Sequence, residues 1–342
     1  MKSVQDLMTD LGLIYSINNS DNMADAQHVA FCISDNYSSI VAVALQSFVD
    51  HHTNDSVFTF HLVSEALSSD NLDYLRGVTA QRSSWKLLYH PIEEKSLAHI
   101  PTGPFTIHAW YRIFLDKLLP EEMDKVLYLD ADTLIASPID ELFKIPLENV
   151  AIGAAKDQQN FITATKQRLG LPQQHTYICS GVLLMNLSYW REHHIAQQIL
   201  DWAIANAHRL GCPDQDAINV VLREKMVVLT AEWGIIAKNF MYDAFYQTEE
   251  AYEAYHHPRI IHYAGCAPWY HELSNIAPRF QKLWYETNQR MERPVEMQSY
   301  FPSIIKRIKA LFRHIQEGRL TYPKITSDFI ERKLQQFTPI GH

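Results

Sequence analysis

No stretch of this chain approaches the roughly 18 consecutive apolar residues that a bilayer-spanning helix needs. The start, Met1-Lys2-Ser3-Val4-Gln5-Asp6, lacks the basic flank and apolar core of a secretory signal. Its four cysteines, Cys32, Cys179, Cys212 and Cys266, are scattered without metal-ligand spacing, so reduced thiols are expected rather than a disulfide framework. Together these absences point to a cytoplasmic setting. Internal repeats and low-complexity tracts are missing as well.

What is present fits a large globular α/β protein. The 342 residues exceed one typical domain, and 47% are hydrophobic against 20% charged, enough apolar material for a substantial core. The net charge of -9 hides an asymmetry: from Asn275 to His342 there are 12 Lys and Arg against 6 Asp and Glu, and the remainder is strongly acidic. An acidic body argues against nucleic acid as a partner, and a basic tail suits an anionic surface.

Val126-Leu127-Tyr128-Leu129-Asp130-Ala131-Asp132 is the most informative segment. A short apolar run reads as a buried strand, and it ends in two carboxylates one residue apart. Open α/β sheets bind ligands beyond the carboxyl ends of their strands, and two such acids repel unless a cation lies between them. Hard oxygen donors favour manganese or magnesium, with a diphosphate as co-ligand. Asp-Ala-Asp alone is also ordinary turn or cap chemistry.

Upstream, strands are expected at His28–Ile33, Val57–Val63 and Trp85–Tyr89, with helices from Ile40 to Phe48 and from Ser68 to Val78, the β-α-β-α-β order of a parallel sheet. Trp110 to Leu119 reads as one helix carrying Arg112, and Val150–Ala155 as a later strand. Ser34-Asp35-Asn36-Tyr37 follows the first strand, where Tyr37 suits base stacking and Ser34 or Asn36 suits a base edge, although Asp35-Asn36 is also plain turn sequence. Ser180-Gly181 enters the apolar run Val182–Leu187, so its glycine serves close ligand approach or packing. In Pro213-Asp214-Gln215-Asp216 one aspartate suffices as a helix cap, which leaves Gln215 unexplained. His262 ends the run Ile260-Ile261-His262 and is either a third metal ligand or a hydrogen-bonded structural residue.

The order of these motifs resembles glycosyltransferase family 8, retaining enzymes of the GT-A fold, over about Val29 to Phe280. The resemblance implies an α/β GT-A fold, a mainly parallel mixed sheet flanked by helices, with a lead-in at 1–27, a catalytic domain at 28–280 and a basic helical region at 281–342. It implies a UDP-sugar donor, a glycan or glycolipid acceptor, and a manganese or magnesium ion held by Asp130, Asp132 and His262. Asp214 and Gln215 resemble the residues beside the transferred sugar. Donor-binding positions would be Cys32, Ser34, Asn36, Tyr37, Arg112, Asp130, Ala131, Asp132, Cys179, Ser180 and Gly265.

The chain departs from the family at three places. Ser34 replaces the usual Asp or Asn, and Cys179 stands where an asparagine is usual. The closing His-x-x-Gly-x-x-Lys-Pro-Trp appears as His262-Tyr263-Ala264-Gly265-Cys266-Ala267-Pro268-Trp269, without the lysine. These departures keep a non-catalytic nucleotide-sugar or glycan-binding protein as an alternative. A haloacid-dehalogenase phosphatase also places Asp-x-Asp after a strand, but Leu134 and the α/β pattern upstream fit it poorly. In the tail, Ile304, Ile305, Ile308, Leu311, Phe312 and Ile315 share one helical face within 303–316, among Lys306, Arg307, Lys309, Arg313 and His314. That helix either lies on an anionic membrane or packs on the catalytic domain.

Overall fold

The computed structural model describes residues 26–53, 55–93, 97, 99–103, 105–157, 162–241, 249–265, 267–270, 276–298 and 327–334. The lead-in before residue 26 and the amphipathic segment 303–316 lie outside them. Among the described residues, no helix is long and apolar enough to cross a membrane.

Seven strands form the main sheet. They are β1 (Gln27–Cys32), β2 (Phe58–Ser64), β3 (Lys86–Pro91), β4 (Lys125–Leu129), β6 (Ile152–Ala155), β7 (Val182–Asn186) and β8 (Met226–Leu229), in the order β3-β2-β1-β4-β7-β6-β8. A three-stranded sheet of β5 (Thr133–Ile135), β10 (Ile260–His262) and β9 (Ile235–Ile236) stands beside it. The β1–β2, β2–β3, β1–β4 and β6–β8 pairs are parallel, whereas β7 runs antiparallel to both β4 and β6. This is the mixed, mainly parallel arrangement of a GT-A fold. Period-two alternation feeds two cores: Val29, Phe31, Leu127 and Leu129 face one cluster, and Ala30, Cys32, Val126 and Tyr128 the other. Helix Ser38–His51 closes the first face; helices Ile195–Ala205 and Pro213–Val221 contribute to the second. Full burial of each large apolar side chain contributes about 1.5–3 kcal/mol.

The segment expected as one helix from Trp110 to Leu119 is broken. Helix His108–Tyr111 passes into a 3-10 turn at Arg112–Phe114 and then helix Leu115–Leu118. Arg112 Nε donates to the Ala109 carbonyl at 2.8 Å, the acceptor that an uninterrupted α-helix offers to the amide of Ile113. Arg191 then fastens the chain leading into β4, donating to the carbonyls of Asp116, Pro120, Glu121 and Met123 at 2.7–2.9 Å. Helix Pro278–Gln289 runs across residue 280 and buries Phe280 and Trp284 in the first core. Helix Ser327–Leu334 returns to the same core through Ile330 and Leu334.

A line of histidines crosses the second face. His28 Nδ1 lies 3.1 Å from His61 Nε2, and His61 Nδ1 lies 2.9 Å from His90 Nε2, all three buried. Burial pushes His61 well below its ordinary range and His90 down to about 4. The folded state therefore resists protonation that the unfolded state accepts near pH 6.5, so stability is present above that pH and lost below it. Asp116, pushed up by burial to about 6, opposes this as a single group against two. The unfolding free energy from urea titration is expected to fall steadily from pH 6.5 to 5, by up to about 1.4 kcal/mol per pH unit for each histidine. A flat profile over that range contradicts the account.

Candidate active site

Chain order reverses at β1, which has β2 on one side and β4 on the other. Such a switch point opens a crevice at the carboxyl ends of the two strands. Ser34-Asp35-Asn36-Tyr37 follows β1 and Asp130-Ala131-Asp132 follows β4, so both motifs border it. Because β7 is antiparallel to β4, its beginning meets the end of β4, and the Asp130 amide donates to the Gly181 carbonyl at 2.8 Å. Cys179 and Ser180 thereby join the same rim.

His262 arrives through the second sheet. β10 pairs with β5 in the register Ile260–Ile135, Ile261–Leu134 and His262–Thr133, and the Tyr263 amide donates to the Asp132 carbonyl at 2.9 Å. Thr133 Oγ1 closes the intervening turn on the Asp130 carbonyl at 2.8 Å. His262 Nε2 consequently sits 3.3 Å from Asp130 Oδ2 and 3.2 Å from Asp132 Oδ1. One ligand atom from each of the three lies within 4.8 Å of the others, and among the described residues no other such cluster of His, Cys, Asp or Glu occurs. On the opposite edge of the ring, Nδ1 is 3.5 Å from Cys179 Sγ. A proton on Nδ1 leaves Nε2 as the coordinating atom.

Gly181 makes this approach possible. A Cβ there would stand 2.1 Å from His262 Cε1 and 2.7 Å from Asp130 Oδ2. Of the two readings of this glycine, close packing within the site is the one that its surroundings explain. Two carboxylates and an imidazole, aimed together against a bare Cα, fit a hard divalent cation such as manganese or magnesium.

Arg112 balances the acids. Its Nη2 donates to Asp130 Oδ1 at 2.8 Å, Nη1 to the Ser180 carbonyl at 2.6 Å, and Nε lies 3.3 Å from Asp214 Oδ2. The guanidinium also stacks 4.4 Å from the centre of the Tyr128 ring, whose hydroxyl donates to Asp130 Oδ1 at 2.6 Å. Burial alone would raise the Asp130 carboxyl, but Arg112, His262 and Tyr128 together hold it well below the usual carboxylate range. Burial likewise lowers His262, yet Asp132 and the hydrogen bonds to both carboxylates raise it well above its ordinary value. Asp214 is pushed up, chiefly by burial, against the pull of Arg112.

Helix Pro213–Val221 delivers the remaining polar groups. Gln215 Oε1 accepts from the Ser180 amide at 3.0 Å, while its Nε2 donates to Asp157 Oδ2 at 3.0 Å and to the Tyr177 hydroxyl at 3.3 Å. Neither aspartate caps the helix through its side chain. The buried Asp216 instead reaches back to accept from the amides of Gly211 and Cys212 at 2.6 and 3.1 Å, ahead of the first turn.

Other expected positions are distributed unevenly. Asn36 and Tyr37 are exposed, and Ser34 is half-buried. Asp35 turns toward the next helix, accepting from the Ser68 amide and Asn71 Nδ2 at 2.9 Å each. Ala131 packs half-buried on the core, and Gly265 holds a left-handed turn at φ +66°. The Cys32 thiol is buried in the second core, and that burial pushes it up. Sequence reasoning missed Tyr128, Asp157 and Tyr177; for Tyr128 the signal was available, since a residue two before Asp130 on a strand shares its face.

The sequence model of glycosyl transferase family 8 matches residues 28–272. The chain belongs to glycosyl transferase family 8. Among its relatives, the lipopolysaccharide 1,2-glucosyltransferase of Escherichia coli strain K12 is 24% identical over 274 residues, 78% of this chain and 80% of the relative. The galactosyltransferase LgtC, solved with donor and acceptor sugar analogs, superposes with a TM-score of 0.63 at 24% identity, covering 76% of this chain and 96% of LgtC. The bifunctional glycosyltransferase WbbM gives 0.67 at 20% identity, with 82% of this chain matching 52% of that larger protein. Family 8 membership leaves the phosphatase alternative without support.

For this family 8 chain, Gly181→Ala forces His262 or Asp130 out of place. Divalent-cation affinity, read with manganese by titration calorimetry, is expected to fall roughly 10–100-fold, as for metal ligands that lose their outer support. Unchanged affinity contradicts the geometry.

Proposed function

We propose that the chain is a retaining hexosyltransferase that moves glucose or galactose from a UDP-sugar to a lipopolysaccharide-core or related surface-glycan acceptor. The convergence of Asp130, Asp132 and His262 at the switch point carries this reading, because it provides a divalent-cation site where a nucleoside diphosphate would lie. When bound, manganese or magnesium would supply Lewis acidity to the diphosphate. The names of the lipopolysaccharide 1,2-glucosyltransferase and of the galactosyltransferase LgtC support the hexose and acceptor class.

The chain's own groups then have distinct roles. Exposed Tyr37 and Asn36, with Ser34, would bind the base, and Arg112 would hold Asp130 ionised and oriented for the cation. Gln215 would face the anomeric carbon, its amide oriented at both ends by the Ser180 amide and Asp157. Asp214 is paired with Arg112 and bonded by Ser180 Oγ at 3.2 Å, which ties up the carboxylate that a covalent route would need as nucleophile. The acceptor hydroxyl therefore attacks from the leaving-group face: its oxygen bonds to the anomeric carbon as the carbon–oxygen bond to the β-phosphate breaks. The electron pair stays on that phosphate, which takes the hydroxyl proton. Association of the basic segment 303–316 with an anionic membrane face belongs to the same proposal and rests on its charge and periodicity alone.

Incubation with UDP-glucose and UDP-galactose should release UDP from one of them in a manganese-dependent manner. Asp132→Asn is expected to lower that rate on the order of 100-fold or more. Release that persists undiminished in chelator, or in the variant, would sink the proposal, as would absence of release from both donors in the presence of acceptor.

A further inference from the structure

The crevice holds several carboxylates but spends its buried cation on them. Arg112 is occupied by Asp130, Asp214 and Ser180, and Lys156, at the same end of the sheet, pairs with Glu250 at 3.3 Å. A departing diphosphate gains negative charge, which a cation free to meet it would stabilise beyond the metal.

Lys238 stands where such a group is needed. It lies in the 3-10 turn Ala237–Met241 that follows β9. β9 runs parallel to β10 with Ile236 beside His262, so the chain beyond Ile236 travels alongside the chain beyond His262. Its half-buried side chain places Nζ 3.9 Å from the position that a Cβ on Gly265 would take. Gly265 is three residues past His262, a span of at most about 11 Å. The glycine, in a left-handed turn, brings no side chain of its own up to the ammonium. No hydrogen bond or ion pair joins the Lys238 side chain to another described residue.

We infer that Lys238 binds the diphosphate of the donor and stabilises it as the leaving group, supplying a positive charge from the turn that follows β9. A lysine suits this task as a compact point charge with three rotatable hydrogen-bond donors. The inference rests on the nucleotide-sugar reading above.

Calorimetric titration of UDP and UMP in manganese, with transfer kinetics, tests it on wild type, Lys238→Met and Lys238→Arg. Lys238→Met should lose roughly tenfold or more in UDP affinity with UMP affinity little changed, and kcat should drop on the order of 100-fold. Lys238→Arg should recover part of both, and all three proteins should share one melting temperature. Wild-type uptake of UDP together with unaltered UDP affinity and kcat in Lys238→Met overturns this inference alone. Failure of the wild type to take up UDP with manganese overturns the nucleotide-sugar reading and this inference with it.

Discussion

The register of β10 on β5 is the constraint on which the site depends. Three residue pairs place His262 opposite Thr133, immediately after the paired acids, and the Tyr263 amide locks the next step onto Asp132. A slip by one residue would turn the imidazole to the other face and present Ile261 or Tyr263 to the carboxylates. Ile260 and Ile261 are fully buried, so the same slip would also disturb the core. Packing and chemistry therefore select one register.

Around that pairing, neighbouring groups handle the charge. Arg112 and Tyr128 grip one oxygen of Asp130 and leave the other toward His262. Cys179 replaces a polar amide with a sulfur beside Nδ1, and Gly181 removes the side chain that would keep the ring away. The break in the helix at Arg112 belongs to the same economy of hydrogen bonds, since its guanidinium takes a carbonyl from its own helix while reaching across to β4 and β7. Gln215 is fixed through both ends of its amide, which makes it a rigid wall of the crevice rather than an adaptable one.

Much of this was legible in the residues themselves. Leu129-Asp130 announces a buried strand ending in acids because the apolar run stops abruptly, and β1 to β3 follow from alternating strand and helix patterns. His262 was visible only as one polar residue closing an apolar run, because its partner strand is distant in sequence and pairing across such distances leaves no local mark. The antiparallel insertion of β7 was equally hidden: Val182–Asn186 is buried on both faces, and a run of that kind reads alike in either direction. Asp216 reaches backward to Gly211 and Cys212 and no side chain caps the helix, a division of roles among Asp214, Gln215 and Asp216 that composition could not make. Cys32 was placed beside the donor by resemblance; its thiol lies in the second core, near enough to feel the charges of Arg112 and Asp130.

The central claim is that strands distant in sequence converge their acids and imidazole on one cation. Anomalous diffraction from crystals grown with manganese and UDP tests it most directly. The account predicts a single strong manganese peak bonded to Asp130, Asp132 and His262 Nε2, with diphosphate oxygens completing its coordination. A peak bound elsewhere, or UDP ordered in the crevice with no manganese between these three side chains, would contradict it.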